Sequence, residues 1–243
     1  MRRTLQLSVL ALALIGAGGA QAIPLSNLLN GGTITAGDKV FDQWTLLDYV
    51  AGDGRTFNAA NIDVTALNDG GMNPGPGLNF SVLNREMAVT GDDIFNFVDL
   101  RFGFHVTAPA GLNIKDNSLN LTGGSLTWAP GDTEDLGFSI QEWVGSGFAD
   151  PTDLNFISTE FSQLFGVPTT SLLATSNFAP VQDIWVTKDL LVWSVNATDT
   201  AILTDFNQRF SQQPTQAAPE PGTLALLALA LVGVGVGRRR GTA

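Results

Sequence analysis

The sequence predicts an all-β protein, an antiparallel β-sandwich of jelly-roll-like type with one short helix, and three observations predict it. Several windows alternate apolar and polar residues with period two, the period of a strand with one buried face and one wet face. Clusters rich in Gly, Asn and Pro separate those windows, as the turns between antiparallel strands require. No repeat of fixed period is visible, which argues against a solenoid or propeller.

From the N-terminus, Met1-Arg2-Arg3-Thr4 is a short basic stretch, followed by an apolar run from Leu5 to Gly18. Ala20-Gln21-Ala22 then places small residues at the two positions that signal peptidase reads. Residues 1–22 are therefore expected to be a signal peptide, cut by signal peptidase between Ala22 and Ile23. The uninterrupted apolar stretch, Val9 to Ile15, is too short for a membrane span of about 20 residues.

Residues 23–211 form the expected ectodomain. Leu78, Phe80 and Val82 begin one strand. In a second, Val98, Leu100, Phe102, Phe104 and Val106 share one face, while Asp99, Arg101, His105 and Thr107 share the other. Leu136, Phe138, Ile140 and Val144 repeat the pattern, broken by Glu142; Trp143 falls on the opposite face, beside Ser139 and Gln141. Trp185 to Val195 is apolar on both faces and rich in β-branched residues, as a central strand would be. Ile202, Phe206 and Phe210 are read as a strand. Turns are expected at Asn68-Asp69-Gly70-Gly71, Asn73-Pro74-Gly75-Pro76-Gly77, Gly123-Gly124 and Ala129-Pro130-Gly131-Asp132. The short helix is expected where Leu154, Ile157, Phe161, Leu164 and Phe165 recur at helical spacing. Asp150 would cap it, Pro151 would open it, Asp153 would sit in its first turn, and Gly166 would follow its end.

Residues 212–218 read as a polar linker. The tail, 219–243, opens with Pro219-Glu220-Pro221, continues through 16 residues without a charge from Gly222 to Gly237, and closes with Arg238-Arg239-Arg240. A helix of that length rises about 24 Å, short of the roughly 30 Å hydrocarbon core of a bilayer. A Pro-Glu-Pro motif, a short apolar helix and an arginine cluster, in that order at the end of an exported chain, resemble the PEP-CTERM family of sorting signals. The resemblance implies processing by an exosortase, a membrane enzyme cutting near Pro219-Glu220-Pro221. Before that cut the helix would insert transiently in the inner membrane, with Arg238, Arg239 and Arg240 on the cytoplasmic side. It further implies a Gram-negative host that makes exopolysaccharide and biofilm, with the protein at the cell envelope, outer surface or extracellular matrix.

Composition narrows what the ectodomain does. There is no Cys, which removes disulfides, thiolate metal sites and Cys nucleophiles. Residues 23–218 carry 7 Lys and Arg against 22 Asp and Glu, a net of −15. Nucleic acid, whose phosphates need clustered cations, is excluded as a partner. Phosphate-binding, dinucleotide and zinc-protease motifs are missing, so no cofactor is expected.

The remaining candidates are weak in catalytic pattern. His105 is the only histidine, and Asp99, six residues away, is too distant along a strand to orient it directly. Ser125, in Gly123-Gly124-Ser125-Leu126-Thr127, lacks the second flanking glycine of a G-x-S-x-G nucleophile elbow, and Ser146 fails the same pattern. Glu86, Glu134, Glu142 and Glu160 are the only ectodomain glutamates, and surface solvation is their default reading. Asp132, Glu134 and Asp135 crowd a turn where calcium would find hard oxygen ligands, without EF-hand spacing. Trp128 and Trp143 are the candidates for stacking on sugar rings. Asn79, Asn120 and Asn196 open glycosylation-type triplets, read here as turn or surface chemistry. The expected function is non-enzymatic, structural or adhesive within exopolysaccharide, with a sugar-binding module as the alternative and an extracellular hydrolase as the third reading.

Overall fold

The computed structural model describes residues 21–129, 131–147 and 154–215. In chain order the elements are β1 (Ile23–Pro24), α1 (Leu25–Leu29), β2 (Ile34–Ala36), β3 (Lys39–Ala51), β4 (Ile62–Leu67), β5 (Gly77–Val82), β6 (Ala88–Thr90), β7 (Asn96–Thr107) and β8 (Leu112–Thr127). Then follow β9 (Leu136–Gly145), β10 (Asn155–Leu164), β11 (Val167–Ser171), β12 (Leu173–Val181), β13 (Asp183–Ser194) and β14 (Thr200–Pro214). The front sheet runs β11-β10-β9-β13-β7-β3-β2; the back sheet runs β1-β4-β5-β14-β8-β12, with β6 also on β14. All strand pairs are antiparallel. From β7 onward the chain crosses repeatedly between the sheets, as in a jelly roll.

The core lies between the sheets and is the sum of the inward positions of the alternating strands. Val98, Leu100, Phe102, Phe104 and Val106 of β7 are all fully buried, as are Ile140 and Val144 of β9 and Phe206 and Phe210 of β14. A register shift in β3 between Asp42 and Thr45 turns Trp44 inward, where it stacks on Phe104 at 4.5 Å. Phe80 and Phe206 stack across neighbouring back-sheet strands, also at 4.5 Å. Each such ring contributes about 1.5–3 kcal/mol relative to exposure.

The strand at Trp185 to Val195 is β13, in the middle of the front sheet between β9 and β7. Glu142, which interrupts the apolar period of β9, points into the core rather than out of it. It pairs there with Lys188, its register partner on β13.

Three local expectations are corrected. The helical window at Leu154–Phe165 is strand β10, paired to β9 on one side and β11 on the other; its proposed cap residues Asp150, Pro151 and Asp153 lie outside the described residues. Phe156, Ile157, Thr159 and Phe161 have weak helix propensity, and the pairing of two neighbours overrides an accidental helical spacing. The short α-helix is α1 instead, with Leu25 and Leu28 buried. Gly123-Gly124 is no turn but lies within β8, at an irregularity against β14. A Cβ on Gly124 would stand 2.3 Å from Cζ of Phe138, so glycine is there for close approach. Finally, β14 runs to Pro214 with Gln212 buried, so the sheet extends three residues into the expected linker.

Candidate functional site

The outer face of the front sheet is the surface most unlike ordinary solvated sheet. Strand registers place its outward side chains in rows that cross β10, β9, β13, β7 and β3 in turn. One row reads Phe156, Trp143, Thr187, Gly103, Thr45. The next reads Ser158, Gln141, Asp189, Arg101, Asp48, and the third Glu160, Ser139, Leu191, Asp99, Val50. A fourth brings Ser162, Gly137, Trp193 and Phe97 together, while on the other flank Gly145, Trp185, His105 and Asp42 share a row.

Aromatic side chains stand at both ends of this field. Trp143 packs against Phe156, ring centres 5.3 Å apart, and Phe156 is half exposed. Trp185 lies 4.8 Å from the His105 ring, and Phe95 lies 5.7 Å from Phe97. Between them Phe95, Leu191 and Trp193, with Ser139, Gln141 and Glu160, line an open groove of about 330 Å³. Gly137 makes room for Trp193: a Cβ on it would stand 2.7 Å from the indole ring.

The polar groups of the face are organised across strands. Arg101 donates to Asp189 from Nε at 3.1 Å and Nη2 at 2.6 Å. Asp99 is pushed up to about 6, first by burial and then by the neighbouring Asp189 carboxylate. His105 sits between two carboxylates, Nδ1 at 3.2 Å from Asp42 Oδ1 and Nε2 at 3.3 Å from Asp183 Oδ2. Register thus brings three strands together on the imidazole, which sequence spacing could not reveal; Asp99 lies three rows away.

Of the two tryptophans expected to meet sugar, Trp143 belongs to this face. Trp128 stands exposed just beyond the end of β8, which belongs to the back sheet. Trp185 and Trp193 were missed, although eight residues apart in one strand they must share a face. The apolar composition of β13 on both sides concealed it.

The other candidates are dispersed. Asp132 accepts from the Glu134 N–H at 2.8 Å and from Asn196 Nδ2 at 2.6 Å, while Asp135 accepts from the Phe165 N–H at 2.7 Å. Among the described residues no three His, Asp or Glu are grouped to hold a metal ion. Glu86 accepts from the Asn58 N–H and Asn61 Nδ2, and Glu142 is sealed in the core; of the four glutamates only Glu160 lies in the groove. Ile23 opens β1, whereas Ala20, Pro219, Glu220, Pro221, Arg238, Arg239 and Arg240 lie outside the described residues. Among the described residues no helix is long and apolar enough to cross a membrane.

Fold and site together define a β-sandwich with an aromatic-edged, polar sheet face. The chain carries the PEP-CTERM protein-sorting motif at residues 217–240, the mark of an exported, exosortase-processed protein sorted to the cell surface. No curated protein matches the chain. Among solved structures, it is similar to TmCBM61 in complex with beta-1,4-galactotriose, at 14% identity, covering 71% of this chain and 89% of that chain, with TM-score 0.26. It is also similar to the arabinose-bound MgGH51 α-L-arabinofuranosidase, at 15% identity and TM-score 0.27, covering 82% of this chain but only 27% of that one. Superpositions this loose carry nothing about function.

Proposed function

We propose that this is an exported surface or matrix protein, structural and adhesive rather than enzymatic, that holds exopolysaccharide against the outer face of its front sheet. Its signal peptide is removed between Ala22 and Ile23, its apolar tail is inserted in the inner membrane only until exosortase acts, and it then joins the polysaccharide matrix of a Gram-negative biofilm. The single observation that supports the adhesive reading is the face itself. The rows from Phe156 and Trp143 to Trp193 extend about 20 Å along the strands. Sugar rings present apolar C–H faces and a rim of hydroxyls; aromatic side chains match the first, and Gln141, Ser139, Ser158 and Glu160 match the second. Asp42, Asp48, Asp99, Asp183, Asp189 and Glu160 make the face acidic, so the polysaccharide is neutral or amine-bearing rather than uronate-rich.

The test is retention of the purified protein on immobilised exopolysaccharide from the native host. Retention is expected for the wild type, with loss in Phe156→Ala and Gln141→Ala, two outward positions whose change leaves the core intact. Absence of retention on any matrix sugar contradicts the reading, and turnover of the polysaccharide that disappears in Glu160→Gln would replace adhesion by hydrolysis.

A further inference from the structure

At one end of the sandwich β3 stops at Ala51, β7 begins at Asn96, and β5 stops at Val82 before a turn leads into β6. The Gly52 N–H donates to the Phe97 carbonyl at 2.8 Å, which holds the start of the β3–β4 loop against β7. A cavity of about 310 Å³ opens here, lined by Asp53 and Arg55 of that loop, Arg85 of the turn, Ala88 and Thr90 of the back sheet, and Asn96 of the front sheet. Its size is at the small end of the range for small-molecule sites, roughly 300–1,000 Å³.

The arginines of this cavity stand out against the rest of the chain. Residues 23–218 hold 7 cations against 22 carboxylates, and Lys39, Arg55, Arg101, Lys115, Lys188 and Arg209 each form an ion pair. Arg85 makes no hydrogen bond or ion pair among the described residues. Its backbone is also in the left-handed region. Asn84 and Arg85 have φ of 52° and 58°, and the Glu86 N–H closes onto the Leu83 carbonyl at 3.0 Å, a type I′ turn whose second central position favours glycine. An unpaired arginine thus stands at a cavity wall where glycine would be less strained. Arg55 is only half engaged. Its Nε and Nη2 lie 2.8 Å and 2.6 Å from Asp53 Oδ2, which leaves the edge between Nη1 and Nη2 open. Asn96 donates from Nδ2 to the Thr90 carbonyl at 2.9 Å, and its Oδ1 has no partner among the described residues.

We infer that this cavity binds a carboxylate-bearing sugar, the carboxylate held by Arg55 and Arg85 and the hydroxyls meeting Thr90 and Asn96. Charge selects the carboxylate, because two guanidinium groups outweigh Asp53 here in a body of net −15, and a guanidinium fork matches the two oxygens of a carboxylate. The uncharged hydroxyl and amide groups of the wall select a hydroxylated ligand over a bare anion. This site goes beyond the front-sheet face, which is acidic and turns such units away; the two would divide matrix sugars between them by charge.

The test is calorimetric titration of the exported protein, recovered from culture medium, with glucuronate, glucose and acetate. Saturable binding of glucuronate is expected, with glucose and acetate each weaker by more than about tenfold. Arg85→Gly should cut glucuronate affinity by more than about tenfold while its Tm stays at or above that of the wild type, since glycine suits the turn. Lys115→Gln removes one positive charge elsewhere and should leave the affinity unchanged. Absence of glucuronate binding, equal binding of glucose or acetate, an affinity indifferent to Arg85→Gly, or equal loss in Lys115→Gln each overturns the proposal. Neither substituted residue belongs to the rows of the front-sheet face, so retention on the host's exopolysaccharide is read separately.

Discussion

Lys188 and Glu142 face each other in register on adjacent central strands, both wholly buried, and form an ion pair between the two sheets. Asn117 of the back sheet donates to Glu142 at 2.5 Å, and Asn155 donates to Asn117 at 2.8 Å, so the charge is tied to both sheets. The Lys188 ammonium also lies 5.4 Å from the Phe206 ring centre and 5.9 Å from that of Phe80. Burial lowers the Lys188 pKa, and the Glu142 carboxylate opposes that shift.

Breaking the pair from one side should therefore be severe. Lys188→Met leaves the Glu142 charge buried without its partner and is expected to cost about 3–5 kcal/mol in urea unfolding. Adding Glu142→Gln removes the orphan charge while keeping an acceptor for Asn117, and should recover at least half of that loss. Equal destabilisation in single and double variants would show that Lys188 acts through packing alone.

Asp99 gives a pH dependence with a defined sign. Its folded pKa, about 6, lies above the ordinary value of 3.8, so folding favours the protonated form. Its unfavourable contribution is absent below pH 3.8, grows as pH rises through about 6, and is complete above that. Asp99→Asn should raise the Tm at pH 8, with the difference shrinking toward zero as the pH approaches 4. A gain that persists unchanged at pH 4 would contradict the assignment.

Glycine at 124 is required by packing. A Cβ there would lie 2.3 Å from the Phe138 ring and 2.7 Å from the Ile202 carbonyl oxygen, so Gly124→Ala should cost about 1–3 kcal/mol by denaturant midpoint. At Gly147 nothing among the described residues lies within 4 Å, and Gly147→Ala should stay within about 0.5 kcal/mol of wild type.

Processing predicts a definite mass. Protein from the native host's medium should begin at Ile23 and end near Pro219 to Pro221. Retention of the apolar segment with Arg238, Arg239 and Arg240 would mean a permanent anchor.

Much of the fold was legible because one-face burial imposes period two: the inward sets of β7 and β9 are the core of the front sheet. The window at Leu154–Phe165 misled because its apolar residues suit both periods over so short a span, and pairing with β9 and β11 decides between them. The place of Glu142 in the pattern was visible, but its partner Lys188 was hidden in a strand of apolar composition. The site was half legible. Trp143 and its polar neighbours follow from alternation, whereas the His105 contacts with Asp42 and Asp183 depend on registers between strands far apart in sequence.

The most direct test of adhesion through the front sheet is tryptophan fluorescence of the wild type titrated with the host's exopolysaccharide. Trp143, Trp185 and Trp193 lie on that face, Trp44 is in the core and Trp128 is near the end of a back-sheet strand. The account predicts a saturable spectral shift, retained in Trp128→Phe and lost in Gln141→Ala. No shift, or a shift that vanishes with Trp128→Phe and survives Gln141→Ala, would contradict it.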